Sequence, residues 1–272
     1  MPALPPPIPA TPGAPIGALL RAWRQRRRRS QLDLALDAEV SQRHLSFIES
    51  GRASPSRDML LRLAERLEVP LRERNALLLA AGYAPPFGER PLADPALAPA
   101  RAAVAAILRA HMPNPALAVD RHWNMLAAND AIPPLLAGVA NRALLTPPVN
   151  VLRLSLHPRG LAPFVRNLGE WRAHILERLR RQVEASVDAT LAALLAELAA
   201  LEAPAVAAAS AHQPGGILVP LELDSPAGPL SLIGTTTVFG TPVEVTLAEL
   251  AIEAFYPADE ATAARLRALA AP

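Results

Sequence analysis

The sequence predicts two domains of different class: an all-α domain of five short helices, then a larger α+β domain. Three observations support this prediction. Hydrophobic residues recur at helical spacing in short segments from residue 16 to residue 82. Residues 84–98 are rich in proline, which is typical of a domain joint. Beyond this joint, strand-like runs occur together with helical ones. The 272 residues are long enough for two domains.

Four segments are therefore expected along the chain. Residues 1–15 form a proline-rich lead-in that we expect to be disordered, because it has no hydrophobic pattern to bury. Residues 16–82 form the helical domain, residues 83–99 a linker, and residues 100–272 the second domain.

The first domain carries start and stop signals for each helix. Ser30 and Ser41 stand where N-caps are expected, and Gly51 and Gly82 stand where helices end. The five predicted helices span residues 16–28, 31–36, 42–49, 57–67 and 71–81.

The composition excludes several functional classes. The chain has no cysteine, so disulfides, thiolate metal sites and a thiol nucleophile are ruled out. The histidines of the second domain are scattered, and no catalytic motif or phosphate-binding loop is present. We therefore expect no catalytic residue, no metal, no cofactor and no enzymatic activity.

The charge is distributed unevenly along the chain. The net charge is only +2, but arginine exceeds acidic residues in the first 90 residues, and acidic residues exceed arginine in the remainder. This asymmetry indicates that the first domain meets a polyanion. The run Arg24–Arg29, taken alone, is better interpreted as a solvated helix end.

Residues 30–58 have the pattern of two helices crossing closely. Ala35 is small where the helices must approach, and Val40, Leu45 and Ile48 are spaced as a buried stripe. Two short helices joined by a tight turn form a helix-turn-helix, whose second helix fits the major groove of DNA.

The exposed residues of the second helix suit contacts with bases. Gln42 and Arg43 begin this helix, where bidentate contacts to adenine and guanine arise. Ser46 and Phe47 lie one turn further along. Phe47 is interpreted either as an apolar contact to a thymine methyl group or as core packing.

Residues 16–82 resemble the XRE family of helix-turn-helix regulators, which includes phage repressors with the lambda-repressor-like fold. The matching residues are Ser30-Gln31, Leu34-Ala35, Val40-Ser41, Leu45-Ser46, Glu49 and Gly51. One departure is Glu39, where the turn between the helices usually has glycine.

The resemblance implies specific DNA contacts. It implies that Gln31 clamps a phosphate, that Gln42, Arg43 and Phe47 read bases, and that Arg57 approaches the minor groove. These contacts are combined with the contacts inferred from residue type and position. The expected DNA-contacting residues are then Gln31, Ser41, Gln42, Arg43, Ser46, Phe47, Arg52 and Arg57.

The second domain is predicted to contain one antiparallel sheet with helices on one face. A hairpin is expected over 116–128, with its turn at Arg121–His122, and a long helical stretch over 163–201, with a break near Ser186–Asp188. Strands are expected over 217–223, 230–239 and 243–247, and helices over 249–255 and 261–270.

The second domain resembles the MmyB-like ligand-binding domain, which is similar to a PAS fold. The stretches that carry this resemblance are 113–129, 150–161, 167–182 and 229–259. It implies a PAS-like sheet with a helical insertion. A fatty-acid-like ligand has been associated with that domain, but the resemblance does not identify the ligand here and provides no residue-level motif. From residue type alone, the candidate ligand contacts are Trp123 and Phe164 as an apolar wall, and Arg153 or Arg172 as a carboxylate partner.

These observations predict a bacterial, cytoplasmic and nucleoid-associated regulator. It would bind double-stranded DNA as a homodimer and sense a small apolar ligand, and it has no predicted membrane segment. Two alternatives remain: the second domain is a dimerisation or protein-interaction module without a ligand, or it is an enzyme fused to a DNA-binding domain.

Overall fold

The computed structural model describes residues 14–186, 188–201, 219–240 and 242–270. Most of the predicted lead-in (1–15) and the start of the predicted strand 217–223 lie outside these residues. The described chain divides into two units. The first contains residues 14–90 and Pro242–Ala248, and the second contains the described residues of Pro91–Thr241 and Glu249–Pro272.

Residues 14–90 of the first unit form five helices, as the sequence predicts. They are α1 (Ile16–Arg26), α2 (Gln31–Asp37), α3 (Gln42–Glu49), α4 (Arg57–Arg66) and α5 (Leu71–Ala80). Ser30, Ser41 and Ser56 cap α2, α3 and α4, because each hydroxyl accepts a hydrogen bond from a backbone N–H in the first turn. The core is aliphatic, with Leu20, Leu34, Leu45, Ile48, Leu60 and Leu63 fully buried.

The turn between α2 and α3 contains a residue in the left-handed conformation that is not a glycine. Glu39 has a φ of 55°, whereas Gly51 and Gly82 take the same region of φ after α3 and α5. A side chain at positive φ costs conformational energy, so the departure noted in the sequence lies at a strained position.

Gly17 fixes the distance between α1 and α3. A Cβ at this position would lie 2.2 Å from the backbone oxygen of Ile48. No side chain fits there, so the close crossing of these two helices depends on glycine.

The second unit contains one five-stranded antiparallel sheet in the order β2-β1-β5-β4-β3. The strands are β1 (Ala116–Val119), β2 (Met125–Ala128), β3 (Leu221–Ser225), β4 (Gly228–Val238) and β5 (Ala251–Pro257). Its helices are α6 (Ala98–Ala110), α7 (Ile132–Leu135), α8 (Val151–Leu156), α9 (Leu168–Ser186), α10 (Ala189–Ala200) and α12 (Glu260–Ala270), and α11 (Val245–Ala248) belongs to the first unit.

Several predictions for the second unit are confirmed. β1 and β2 pair as the predicted hairpin. The long helical stretch breaks at the predicted place, since α9 ends at Ser186 and Asp188 caps α10.

Two predictions near the end of the chain are wrong. The predicted helix 249–255 is instead the sheet strand β5, which pairs with both β1 and β4. In β5, Ile252 and Ala254 pack in one hydrophobic cluster, whereas Phe255 packs in another, so the true period is two. The predicted strand 243–247 mostly forms the helical turn α11, because both Glu244 carboxylate oxygens accept backbone N–H groups, from Arg90 and Leu247.

The helices cover both faces of the sheet, rather than the single face expected. Val104 and Leu108 of α6 pack with Ala116 and Ala118 of β1. The alternate residues of β1, Leu117 and Val119, pack in the cluster that contains α9 and α10. Burial on both sides explains why β1 lacks the alternation of a half-exposed strand.

Candidate functional site

Helix α3 presents a polar surface above a buried apolar face. Leu45 and Ile48 are fully buried and anchor the helix, whereas Gln42 and Arg43 are exposed in its first turn. The Ser41 hydroxyl accepts a hydrogen bond from the His44 backbone N–H at 3.1 Å, so it holds the start of the helix. The first turn of α3 is therefore fixed in place with its longest polar side chains free to reach outwards.

Phe47 organises two arginines beside this turn. The guanidinium carbon of Arg52 lies 4.7 Å from the centroid of the Phe47 ring, and that of Arg43 lies 5.4 Å from it. The Nε of Arg52 also donates to Ser50 Oγ at 3.0 Å. Phe47 is half-buried, so it serves both as packing and as a surface on which two cations are arranged.

A buried carboxylate joins α3 to α1 and α2. Arg24 donates to both oxygens of Glu49, at 2.6 and 2.8 Å, and Gln31 Nε2 donates to Glu49 Oε2 at 2.8 Å. Burial alone would raise the pKa of Glu49, but the hydrogen bonds from Arg24 and Gln31 and the positive charges of Arg24 and Arg21 lower it below 4.5. Gln31, the predicted phosphate clamp, is thus oriented by Glu49.

The interpretation of Arg24–Arg29 as a solvated helix end is wrong for several of its members. Besides Arg24, which binds Glu49, Arg27 donates to the backbone oxygens of Leu67 and Glu68 at 2.8 and 2.9 Å. Arg29 donates to the backbone oxygen of Arg66 at 3.2 Å and pairs with Asp37. Arg27 and Arg29 therefore bind backbone oxygens at the end of α4, where cations are favourable.

The remaining predicted DNA contacts lie at the margins of this surface. Ser46 is half-buried on α3, and Arg57 is exposed in the first turn of α4, with its guanidinium 3.8 Å from the Asp58 carboxylate.

The second unit contains a cavity of about 120 Å³. Its walls are mainly aliphatic and aromatic, and they come from β1–β5 and from α7, α8 and α9. Representative wall residues are Leu117, Met125, Leu152, Ile175, Leu232 and Phe255. A small cavity with mostly apolar walls and few polar groups is typical of a ligand site.

Trp123 forms part of the wall and is held in a strained conformation. Its φ is 67°, a region that bulky side chains rarely adopt. The Asp120 carboxylate accepts the backbone N–H groups of His122 and Asn124, and the indole Nε1 donates to Gln182 Oε1 at 2.8 Å. Strain of this kind, secured by several hydrogen bonds, commonly marks a functional site.

The polar lining of the cavity consists of Ser155, His174, Arg178 and Glu253. Arg178 donates to both oxygens of Glu253, at 2.7 and 2.9 Å, and its guanidinium lies 4.4 Å from the Trp123 ring. His174 stacks on Trp171, with ring centroids 5.7 Å apart.

Of the four ligand contacts guessed from residue type, only Trp123 lines this cavity. Arg153 forms a half-exposed pair with Glu197, and Arg172 donates to the Ala199 backbone oxygen at 2.8 Å near the end of α10. Phe164 lines a separate pocket beside Gly138. Arg153 and Arg172 therefore have structural partners of their own, and Phe164 lies outside the lining of this cavity.

Sequence reasoning missed the polar lining residues on α9. Trp171, His174 and Arg178 are three and four residues apart, so they share one face of the helix. This spacing was a usable signal. No comparable signal pointed to Glu253, because the sequence predicts a helix for its segment, residues 249–255.

The described residues hold no cluster of three or more potential metal ligands. They also include no helix that is long and apolar enough to cross a membrane.

The fold and these two regions define a DNA-binding transcription regulator with a ligand-binding domain. Residues 20–74 match the helix-turn-helix family model, and residues 100–269 match the model of the MmyB-like transcription regulator ligand binding domain. The second match covers more than half of the chain, which therefore belongs to the MmyB-like family. A search of the curated proteins found no match.

Proposed function

We propose that this protein is a bacterial one-component regulator of the XRE type. In this proposal, α3 reads operator DNA as part of a homodimer on a two-fold site, and the cavity of the PAS-like second domain binds a small, mainly apolar molecule. Occupancy of the cavity changes DNA affinity, since the ligand favours one of two conformational states. The regulator would act in the cytoplasm, on the nucleoid.

The arrangement of Arg43, Phe47 and Arg52 supports the DNA half of this proposal. Both guanidinium groups lie against one aromatic ring beside the exposed first turn of α3. An arginine placed in this way can make a bidentate contact to guanine or pair with a phosphate. We assign Arg43 to a base and Arg52 to the DNA backbone.

Fluorescence anisotropy on an operator selected from random duplex DNA tests this assignment. Arg43→Ala should cost about 1–3 kcal/mol and relax the preference at one base pair. Arg52→Ala should weaken binding to all sequences alike and reduce the salt dependence by about one unit of slope.

Arg267→Ala is the matched control, because Arg267 is an exposed helical arginine in the second unit, paired with Glu260. It should leave the affinity unchanged. If Arg43→Ala and Arg52→Ala bind the operator as tightly as this control, the docking by α3 is wrong.

The cavity supports a ligand-binding role over a module that only mediates protein interaction. A packed core would leave few voids larger than a water molecule, whereas this one has about 120 Å³ of free space beside a strained tryptophan. Native mass spectrometry of the purified protein should detect a bound small molecule. A fatty-acid-like compound is one class to expect.

Val151→Phe provides the control for this measurement. Val151 is half-buried and lines the cavity, so a larger side chain should fill it and exclude the ligand. Circular dichroism would establish that the variant folds. An identical adduct in the folded variant would contradict the assignment of the cavity.

A further inference from the structure

The four polar residues of the cavity fall into two pairs with different hydrogen-bonding states. Arg178 and Glu253 form a two-pronged ion pair that compensates both charges, whereas Ser155 and His174 retain unused hydrogen-bonding atoms among the described residues. This difference determines which polar group a ligand can carry.

The positive charge of Arg178 is already compensated by the Glu253 carboxylate. Two N–H groups of Arg178 reach the two oxygens of Glu253, and a third donates to Thr236 Oγ1 at 2.7 Å. The Glu253 side chain is only 10% exposed. A carboxylate ligand that took Arg178 would leave Glu253 buried without its counter-ion, which is strongly unfavourable.

Ser155 and His174 flank the Trp171 indole on the cavity wall. Ser155 Oγ accepts from Trp171 Nε1 at 2.9 Å, and its own hydroxyl hydrogen has no acceptor among the described residues. Neither ring nitrogen of His174 has a hydrogen-bond partner in the described part of the chain. Burial is the largest effect on the pKa of His174 and lowers it below 6.5, and the positive charges of Arg178 and Arg181 lower it further. The negative charge of Glu253 opposes this shift by a smaller amount. This direction favours the neutral imidazole, which has one donor and one acceptor.

We propose that the cavity takes a compact neutral molecule with one oxygen function, a hydroxyl or a carbonyl, which hydrogen-bonds to His174 and Ser155. This inference rests on the proposed ligand-binding function and narrows the ligand class. It favours a neutral head group over the carboxylate of a fatty acid.

The volume of the cavity sets the size of the apolar part. An apolar cavity of roughly 150 Å³ holds one benzene molecule. The present cavity is of similar size, at about 120 Å³, so a single small ring fits it without rearrangement.

Three probes with the same ring and different head groups test the inference by isothermal titration calorimetry on the full chain. Toluene has no polar head group, benzyl alcohol has a neutral hydroxyl, and benzoate has a carboxylate. We expect benzyl alcohol to bind roughly two- to tenfold more tightly than toluene, as one net hydrogen bond predicts. Benzoate should bind most weakly.

Two substitutions of His174 identify the residue responsible. His174→Phe keeps a flat ring but removes both nitrogens, so the ratio of the benzyl alcohol affinity to the toluene affinity should fall to about one. His174→Gln keeps a donor and an acceptor, so it should preserve part of that advantage.

The outcomes separate this inference from the proposed function. Equal binding of toluene and benzyl alcohol, or tightest binding of benzoate, overturns the neutral-head inference and leaves the ligand site intact. An unchanged advantage in His174→Phe overturns the role of His174. If none of the three probes binds, the neutral-head inference is wrong, whereas the proposed ligand site fails only if native mass spectrometry also detects no bound molecule.

Discussion

The surface of α3 and the cavity of the second unit place their polar side chains by different means. On α3, Gln42 and Arg43 extend from the first turn of one short helix, and Phe47 supports the Arg43 guanidinium from only four residues away. In the cavity, Trp123, His174 and Glu253 come from three distant parts of the chain. A surface site can thus be built from local sequence, whereas an interior site depends on the whole topology of its domain.

The largest effect is expected from Gly17→Ala, which acts on the first unit alone. The new methyl group would meet the Ile48 backbone oxygen at 2.2 Å and force α1 away from α3. We expect a loss of about 3 kcal/mol in the stability of this unit, with a parallel loss of DNA binding. Urea unfolding followed by circular dichroism measures the first effect.

Gly240→Ala is the control for this prediction, because no atom of the described residues lies within 4 Å of a Cβ there. Binding of a cavity ligand should survive in both variants. If Gly17→Ala destabilises the second unit equally, the assignment of its effect to the contact between α1 and α3 is wrong.

Glu49→Gln should cost the first unit about 2 kcal/mol, because Arg24 loses its charged partner. The pKa of Glu49 is lowered in the folded state. Its stabilising effect is therefore present above the unfolded-state pKa, near 4.5, and is lost as the pH falls through the lower folded-state value.

Denaturant titrations at pH 6 and at successively lower pH values measure this dependence. The wild-type protein should lose more stability on acidification than Glu49→Gln does. Parallel acid dependence in the two proteins would contradict the assignment.

Gln182→Leu should lower the stability of the second unit by roughly 1 kcal/mol. The Trp123 indole N–H and the Arg121 backbone oxygen would both lose their Gln182 partner. Arg181→Leu, on the exposed side of the same helix, should have a smaller effect. Thermal unfolding monitored by tryptophan fluorescence distinguishes them, and equal losses would show that the indole hydrogen bond is not important.

The smallest effect is a gain from Glu39→Gly. Removing a side chain from a residue with a φ of 55° should stabilise the first unit by about 0.5–1 kcal/mol. Asp58→Gly, in the exposed first turn of α4, should instead destabilise it by a similar amount. Chemical unfolding of the two variants should therefore give shifts of opposite sign.

Local signals account for what the sequence predicted. The caps Ser30 and Ser41, the terminal glycines and the apolar spacing predicted the five helices α1–α5. The hairpin 116–128 and the break near Ser186–Asp188 were equally local. All eight expected DNA contacts lie in this first unit, although their roles on DNA stay predictions.

The missed features depend on long-range pairing. β5 has the composition of a short helix, and only its pairing with β1 and β4 makes it a central strand. Because that segment was assigned to a helix, Glu253 was not recognised as the partner of Arg178. Arg153 and Arg172 were chosen for their charge, but other residues 44 and 27 positions away already engage them.

The operator affinity of the full chain, with and without a saturating cavity ligand, tests the central claim most directly. With benzyl alcohol as the probe, and its binding verified by calorimetry, we expect the dissociation constant for DNA to change by about fivefold or more. Val151→Phe should show no such change. Identical DNA affinities for the free and the ligand-saturated wild-type protein would contradict the account of a ligand-controlled regulator.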